Sequence, residues 1–308
     1  MARPLAITAV VATRNREDQI PTVLESLLAV EYDPFEIVIV DQSTNGLTRG
    51  AVEALAGGDA RIRYEASDEV GVSRARNLGA ALARGDIVAY TDDDCAVGPG
   101  WMEALAEEFQ SSDVSGVFGR VLPLERRARD GAEIAFKDGG EPCQYEGRAI
   151  PWHIGHGANM AFRRRDLLEA GGFDVMMGPG APMPSHEDCD VSYRLLVAGR
   201  RLRYSPRALV YHRHWKDWSA QQHAERAYGL GAGGQFTKCL RCGDAYGMRL
   251  LAAWVWQLGV RRLGAGLLKW RSRKVMYLGY CQLVYPWIGI WRSFRYRVDR
   301  QSRTYAAD

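Results

Sequence analysis

Residues 71–97 read GVSRARNLGAALARGDIVAYTDDDCAV, and this segment gives the clearest indication of the fold class. Its first half has apolar and small residues at helical spacing and stops at Gly85. The apolar positions of that helix are Val72, Ala75, Leu78, Ala81 and Leu82. Its second half, residues 86–91, is a short apolar run typical of a buried strand, and three aspartates follow it. A helix followed directly by a strand predicts a βαβ unit.

The residues before this stretch repeat the same alternation. Apolar runs at 5–12 and 35–40 predict two more strands, and RIRYEA at 61–66 predicts a weaker one. Between the first two runs, apolar residues recur at helical spacing from Ile20 to Val30. Short strands that alternate with helices predict an α/β domain with a mostly parallel, Rossmann-like sheet.

Acidic residues follow two of the predicted strands. Asp41 ends one, and Asp92, Asp93 and Asp94 end another. Adjacent carboxylates repel one another, and they are costly beside an apolar strand unless a cation or hydrogen-bond donors stabilise them. The carboxyl ends of strands are also where open α/β sheets bind ligands. The cluster therefore predicts a ligand site, with a solvated acidic turn as the alternative.

The first turn of the chain narrows the kind of ligand site. Residues 12–18, ATRNRED, contain neither the glycine-rich dinucleotide fingerprint nor a Walker lysine loop. Phosphates can instead be bound through Mg²⁺ or Mn²⁺, which bridge carboxylate oxygens and diphosphate oxygens. The sequence therefore predicts a divalent cation at the acidic cluster.

Five motifs, taken in the order in which they occur along the chain, resemble those of the family 2 glycosyltransferases of the GT-A fold. VVATRNRED, EIVIVDQST and the stretch at 71–95 resemble the nucleotide-binding half of that family. GHGANMAFRRRDLLEAGGFD and SHEDCDVSYRLLVAGRRLRYSPRALVYHRH resemble its acceptor half. The similarity covers about residues 5–215, and it implies transfer of a sugar from a nucleotide-diphosphate donor, with UDP favoured by analogy.

The resemblance implies roles for individual residues. Those implied to contact the nucleotide-sugar are Thr13, Asp41, Arg76, Asn77, Asp92, Asp93, Gly157 and Asn159. Those implied to hold the metal are Asp94, Asp92 and His212, with His214 as the alternative histidine. If the strand stays extended, Asp92 and Asp94 project to one side and Asp93 to the other. Gln42 stands where the family usually has a second acid.

A pair of acids at 187–188 resembles the family's catalytic pair. In that family the aspartate takes the proton of the acceptor hydroxyl, so the resemblance implies that Asp188 is the general base and that Glu187 adjoins it. The chemistry requires such a base, because a sugar hydroxyl is a poor nucleophile until it loses its proton. The alternative is that both acids stabilise a helix start, where negative charge is favoured.

Two other function classes remain open from the sequence. A sugar-1-phosphate nucleotidyltransferase also uses an α/β sheet and acids, but it usually has a glycine-rich first turn, which residues 12–18 lack. A catalytically inactive donor-binding or scaffold protein would not need the acids or Asp188. The Gln-x-x-Arg-Trp motif of processive synthases does not occur in the sequence, which favours transfer of a single sugar.

The C-terminal part of the chain has a different composition. Residues 241–303 contain 13 Lys and Arg against two acids, Asp244 and Asp299. Five tryptophans also lie in this part, at 254, 256, 270, 287 and 291. Aromatic residues beside basic ones predict helices that lie on an anionic membrane surface. The alternatives are a helical cap on the catalytic domain, a homodimer contact, or a membrane span; nucleic-acid binding is not favoured because the apolar runs suit lipid better.

These observations predict a domain division and a setting. Residues 1–217 form the GT-A domain, with the nucleotide-sugar-binding half at about 1–120 and the acceptor half at about 121–217, and residues 218–308 form a helical basic extension. The six cysteines have no regular spacing, which predicts free thiols in a reducing cytoplasm. The expected partners are the nucleotide-sugar and a glycan, lipid-linked or small-molecule acceptor, at the inner face of the plasma membrane.

Overall fold

The computed structural model describes residues 4–124, 137–213, 217–269 and 271–306. Its strands are β1 Ile7–Thr13, β2 Phe35–Asp41, β3 Ile62–Ala66, β4 Ile87–Asp92, β5 Cys95–Val97, β6 Val114–Pro123, β7 Cys143–Tyr145, β8 Asn159–Arg163, β9 Arg201–His212, β10 Val298–Asp299 and β11 Thr304–Tyr305. Its α-helices are α1 Ile20–Leu28, α2 Leu47–Ala56, α3 Val72–Leu82, α4 Trp101–Glu108, α5 Arg164–Glu169, α6 Glu187–Val197, α7 Trp218–Arg241, α8 Tyr246–Trp254, α9 Arg261–Gly264 and α10 Arg273–Ser293. A 3₁₀ turn spans Pro151–His153, and π-helical turns span Val255–Val260 and Ala265–Lys269.

The described residues group into two compact units. The first contains residues 4–124, 137–172 and 191–213, and the second contains residues 173–190, 217–269 and 271–306. Among the described residues, the longer stretch of the second unit begins at residue 217, beside the sequence-based boundary, and the predicted domain division stays a prediction. Residues 173–190, which carry the predicted base, group with the C-terminal helices.

The first unit is built on one mixed sheet of nine described strands, in the order β3-β2-β1-β4-β8-β6-β9-β5, with β7 beside β9. The predicted half, β3-β2-β1-β4, is parallel throughout. Strand β8 runs antiparallel to both β4 and β6, whereas β6 and β9 are parallel. The α/β class and the Rossmann-like parallel half are confirmed.

The apolar strands of this half form the core of the first unit. Ile7, Ala9 and Val11 of β1 are almost completely buried, as are Ile37 and Ile39 of β2. Strands that are covered by helices on both faces are expected to be continuously apolar in this way. Register then places the ends of neighbouring strands side by side: in sequence they end at Thr13, Asp41 and Asp92.

A glycine lets α3 approach the sheet closely. A Cβ at Gly79 would clash with the side chain of Val10 on β1. Any larger residue at 79 would therefore push α3 away from β1. The close approach matters for the site, because Arg76 lies one turn earlier on the same helix.

The second unit is a set of packed helices with two short strands. Helices α7 and α10 approach so closely that a Cβ at Gly233 would clash with the backbone carbonyl of Pro286. Strands β10 and β11 form an antiparallel pair. Within the ranges that the structure describes, no helix is both long enough and apolar enough to cross a bilayer.

A buried lysine connects α7 to the segment that precedes α6. The ammonium group of Lys238 lies 2.7 Å from Oδ1 of Asp190 and also forms an ion pair with Asp174. The side chains of all three residues are at most 2% exposed. Tyr305 adds a backbone N–H that donates to Asp174 over 2.8 Å. Residues 173–190 are therefore held to the C-terminal helices by charge as well as by apolar packing.

We expect Lys238→Met to destabilise the protein by about 3–5 kcal/mol, because two buried carboxylates would lose their cation. Thermal unfolding measured by tryptophan fluorescence would report the loss. Lys274→Met, at an exposed position, is the matched control and should change the unfolding temperature little. Equal effects of the two substitutions would contradict a structural role for the buried lysine.

Candidate functional site

The acidic cluster begins where β4 ends. Asp92 is the last residue of β4, Asp93 and Asp94 form a turn, and Cys95 begins β5. Asp92 and Asp94 were expected to project to the same side if the strand stayed extended, but the extended strand ends at Asp92. The turn instead directs Asp93 and Asp94 to one shared partner, Arg16, whereas Asp92 pairs with Arg76.

Asp93 is held inside the protein by two side chains. Thr13 donates its hydroxyl to Oδ2 over 2.8 Å, and Arg16 donates to Oδ1 over 2.6 Å. Burial raises the pKa of Asp93 to about 7, an effect that the charge of Arg16 opposes and that of Asp94 reinforces. Both carboxylate oxygens have protein partners, which hold Asp93 at the turn, and its predicted contact with the nucleotide-sugar stays a prediction.

Asp94 faces a histidine that comes from a distant strand. β5 pairs with β9 so that Cys95 lies opposite His212, and Nε2 of His212 is 3.2 Å from Oδ1 of Asp94. This oxygen is buried and accepts no well-directed hydrogen bond from the described residues. Burial raises the pKa of Asp94, but the neighbouring His212 and Arg16 outweigh it, so the net pKa lies below its ordinary value.

These donor atoms suit a divalent cation. Single donor atoms of Asp94, Cys95 and His212 all lie within 4.8 Å of one another. Burial, reinforced by Asp92 and Asp94, raises the pKa of the Cys95 thiol far above its usual range, so it stays protonated at neutral pH and is a poor ligand. A carboxylate oxygen and an imidazole nitrogen remain, and a diphosphate would add the further oxygen ligands that Mn²⁺ and Mg²⁺ favour.

Asp92 lies outside this group of donor atoms among the described residues. Its Oδ1 accepts a hydrogen bond of 3.0 Å from Nη2 of Arg76, and its side chain is 31% exposed. Arg76 is itself buried and reaches the backbone oxygen of Gly157 at 3.5 Å. The fold thus brings Arg76, Asp92 and Gly157 together. Asn77, the next residue on α3, contacts Gly172, where a Cβ would come within 2.5 Å of its Oδ1.

Asp41 occupies the adjacent strand end and is almost completely buried. Its carboxylate accepts hydrogen bonds from the hydroxyl of Tyr64 at 2.6 Å and from the backbone N–H of Ser43 at 2.8 Å. Burial and the charge of Asp41 raise the pKa of Tyr64 to about 12, so Tyr64 remains a donor. The carboxylate is thereby fixed in orientation before any ligand arrives.

The structure explains why a glutamine can stand at position 42, where the family usually has an acid. Its side-chain oxygen accepts from the N–H of Gly71 at 3.2 Å, and its side-chain nitrogen donates to the carbonyl of Gly71 at 3.1 Å. An acid at this position could accept but could not donate to that carbonyl. Gln42 therefore ties the end of β2 to the start of α3.

Asn159 is buried and forms hydrogen bonds within the protein, and its predicted contact with the donor stays a prediction. Its side-chain nitrogen donates to the carbonyls of Arg120 and Ala208 at 2.9 and 2.8 Å. Its side-chain oxygen accepts from the indole N–H of Trp101 at 2.9 Å. The side chain is completely buried and its polar atoms are used within the protein. Its role is to brace three elements behind the site.

The predicted base pair lies in the second unit at the start of α6. Glu187 is buried and Asp188 is partly exposed. The residue before them, His186, has a φ of 72°, which is unusual for a residue with a side chain. Its ring is buried, lies 3.0 Å from the side-chain oxygen of Gln235 through Nδ1, and contacts the ring of Trp254. The start of α6 is therefore fixed by contacts within this unit.

The sequence did not identify two residues near the cluster. Arg16 lies in the loop after β1, and its only signal was a basic side chain in the first turn. His156 lies just before β8, with its ring centroid 6.3 Å from that of His212, and its Nδ1 accepts from the N–H of Ala158. The alternative metal ligand His214 lies outside the described residues.

Comparison with known proteins identifies similar sequences and similar folds. A relative from Haloferax volcanii, a glucosyl-dolichyl phosphate glucuronosyltransferase, is 28% identical over 221 residues, which cover 68% of this chain and 69% of the relative. Among solved structures, the mannosyltransferase PcManGT from Pyrobaculum calidifontis, in complex with GDP-Man and Mn²⁺, has a TM-score of 0.63 at 19% identity and covers 92% of this chain and 86% of its own. GalNAc-T7 with UDP, GalNAc and Mn²⁺ has a TM-score of 0.53 at 17% identity, covering 75% of this chain and 50% of its own.

The structural matches show the GT-A fold of glycosyltransferases. The model of the family described as "Glycosyl transferase family 2" matches residues 8–170, more than half of the chain. This match favours glycosyl transfer over the nucleotidyl transfer and scaffold alternatives. The predicted family, fold and enzyme class are therefore confirmed, and the chain belongs to glycosyl transferase family 2.

Proposed function

We propose that this enzyme is a metal-dependent, inverting glycosyltransferase that moves one sugar from a nucleotide-diphosphate sugar to a hydroxyl of a lipid-linked glycan. One observation carries the proposal: Asp94 and His212 present a buried carboxylate oxygen and an imidazole nitrogen to each other at 3.2 Å, at the edge where parallel strands end. These two residues would hold Mn²⁺ or Mg²⁺. The cation would stabilise the charge of the departing diphosphate.

The donor is proposed to lie along the ends of β1, β2 and β4. Asp41 would accept hydrogen bonds from the base, and Arg76 would supply positive charge beside the diphosphate. UDP remains the favoured nucleotide by analogy, although the solved structures with this fold include complexes with GDP-Man as well as with UDP. Thermal stabilisation by UDP, GDP or dTDP, each with Mn²⁺ or with EDTA, tests both the base and the metal, because a bound ligand raises the unfolding temperature by mass action. No stabilisation by any of these nucleotides would contradict the proposal.

The acceptor is proposed to be a glycan linked to a lipid. The relative from Haloferax volcanii is described by its action on a dolichyl-phosphate-linked glucose, and the match covers 69% of that protein. Asp188 would take the proton from the acceptor hydroxyl as the hydroxyl attacks the anomeric carbon. That carbon would lose its bond to the diphosphate oxygen, and attack from the opposite side would invert its configuration.

A lipid acceptor requires access to a membrane surface, and α10 has a suitable face. Trp287, Trp291 and Phe294 are 56%, 62% and 65% exposed and are spaced by four and three residues, so they share one side of the helix. The guanidinium of Arg295 lies 4.5 Å from the ring of Trp291. Exposed aromatic rings beside basic groups suit the headgroup layer of an anionic membrane. We propose peripheral attachment through this face.

We expect the triple substitution of Trp287, Trp291 and Phe294 by serine to reduce binding to phosphatidylglycerol liposomes by about tenfold or more, because apolar area buried in the bilayer drives such binding. Sedimentation with liposomes at low and moderate salt measures the effect. A matched control replaces Leu47, Val70 and Leu168, which are exposed apolar residues of the first unit, by serine. If the wild-type protein stays in the supernatant at low salt, the membrane proposal is wrong.

This test uses substitutions in the full-length chain for a structural reason. Removing all residues after 217 would also remove Lys238, and Asp174 and Asp190 would then be buried without their cation. Loss of binding in such a truncation would not distinguish a missing membrane contact from a damaged fold.

A further inference from the structure

Arg16 is paired with the acidic turn, beside the position proposed for the divalent cation. Its two terminal nitrogens lie 2.6 Å from Oδ1 of Asp93 and 3.1 Å from Oδ2 of Asp94. Burial opposes the charge on Arg16, but the two carboxylates outweigh burial and raise its pKa. The guanidinium is thus a fixed positive charge on the same carboxylate that faces His212.

This arrangement disfavours a metal ion that arrives alone. A cation between Asp94 and His212 would share the Asp94 carboxylate with Arg16, and two positive charges that close repel each other in a partly buried site. Arg16 also stabilises the metal-free state, because it neutralises the acids that the metal would otherwise neutralise. Both effects lower the affinity for the free ion.

When a diphosphate is present, Arg16 favours binding of the metal ion instead of opposing it. It adds at least two negative charges beside the metal, and a guanidinium is well suited to phosphate oxygens because its N–H groups match their geometry. The side chain is 38% exposed, so it faces the solvent-accessible side of the acidic turn. The same residue that repels the free ion would therefore attract the ion together with the nucleotide.

We propose that Arg16 makes metal binding conditional on the nucleotide, so that the site takes up the metal and the nucleoside diphosphate together rather than the metal first. The inference rests on the proposed metal-dependent donor site. In thermodynamic terms, Arg16 increases the coupling between the two ligands, and each must then raise the affinity for the other by the same factor. Arg16 is thus a binding residue of the proposed site that sequence analysis did not identify.

The experiment uses Arg16→Gln and a matched control, Arg14→Gln. Arg14 lies two residues earlier in the same loop, is exposed and forms no ion pair with the residues that the structure describes. Free Mn²⁺ is measured by electron paramagnetic resonance to give the affinity for the metal alone. Calorimetric titration with UDP and with GDP, in saturating Mn²⁺ and in EDTA, gives the affinity for the nucleotide and its dependence on the metal.

We expect Arg16→Gln to bind Mn²⁺ alone about tenfold more tightly than the wild type, and to bind the preferred nucleotide in Mn²⁺ about tenfold more weakly, within the usual range of coupling between sites. Arg14→Gln should change each affinity by less than about twofold, because its charge is screened by solvent. The opposite signs of the two effects cannot arise from general damage to the site.

Three results would overturn the inference. If Arg16→Gln binds Mn²⁺ alone no more tightly than the wild type, Arg16 does not oppose the free ion. If Arg16→Gln and Arg14→Gln change the affinities for Mn²⁺ and for the nucleotide equally, the effect comes from the net charge of the loop and not from the position of Arg16. If the wild type shows no Mn²⁺-dependent nucleotide binding, the proposed donor site fails as well. Should Arg16→Gln not fold, as judged by circular dichroism, Arg16→Lys tests the same point: one ammonium group cannot bridge both carboxylates, and the same two signs are expected at about threefold.

Discussion

Substitution of Asp188 by asparagine is expected to lower the rate of sugar transfer by about two to four orders of magnitude, the usual range for a missing general base. The amide is nearly the same size as the carboxylate but cannot accept the proton of the acceptor hydroxyl. Nucleotide affinity should stay within about twofold of wild type, because the nucleotide is proposed to bind at the strand ends of the first unit. Release of UDP or GDP in the presence of a lipid-linked glycan acceptor measures the rate, and calorimetry measures the affinity.

Glu187→Gln is the matched comparison, since Glu187 is the adjacent acid and is buried at the first position of α6. Its loss should reduce the transfer rate much less than the loss of Asp188. If Asp188→Asn weakens nucleotide binding as strongly as it slows transfer, Asp188 is a structural or donor-binding residue. If the two variants lose the same transfer rate, the assignment of Asp188 rather than Glu187 as the general base is not supported.

Asp94→Asn is expected to remove the effect of Mn²⁺ on nucleotide binding. An asparagine oxygen carries no net charge, so it cannot hold a divalent cation against a diphosphate as a carboxylate does. The affinity for the metal–nucleotide pair should fall by more than about a hundredfold, which exceeds the 10- to 100-fold cost of losing partners that only orient metal ligands. Titration of UDP and GDP in Mn²⁺ and in EDTA checks this result.

Two further variants separate the roles of the acids. His212→Ala should lose Mn²⁺ dependence as Asp94→Asn does, because His212 is the other donor of the pair. Asp92→Asn should have a smaller effect, because Asp92 pairs with Arg76 and lies outside the group of donor atoms. A normal response to Mn²⁺ in Asp94→Asn would exclude Asp94 from the metal site.

The sequence could predict the parts of the site that depend on local pattern. The apolar runs that form β1, β2 and β4 identified the parallel sheet, and the acids after them identified its ligand-binding edge. The role of Arg16 was not predictable in this way. It depends on the turn at Asp93 and Asp94, where the strand has ended and strand alternation no longer applies.

Contacts between distant parts of the chain are the other features of the site that could not be predicted from the sequence. The carbonyls of Arg120 and Ala208 that accept hydrogen bonds from the side chain of Asn159 belong to other strands and cannot be identified from the motif that contains Asn159. The pairing of Cys95 with His212 is similarly non-local, although His212 was identified through the resemblance. Resemblance located residues along the chain; only the fold shows which of them have side chains directed into the protein.

The buried Lys238 of α7 also determines when the segment that carries Asp188 can form its ion pairs during synthesis. Asp174 and Lys238 are 64 residues apart, so the segment that carries Asp188 leaves the ribosome well before its cationic partner. Residues 173–190 cannot form these buried ion pairs before α7 has been synthesised. The segment that carries the residue proposed to perform the chemistry therefore completes its internal contacts only when a later part of the chain is present.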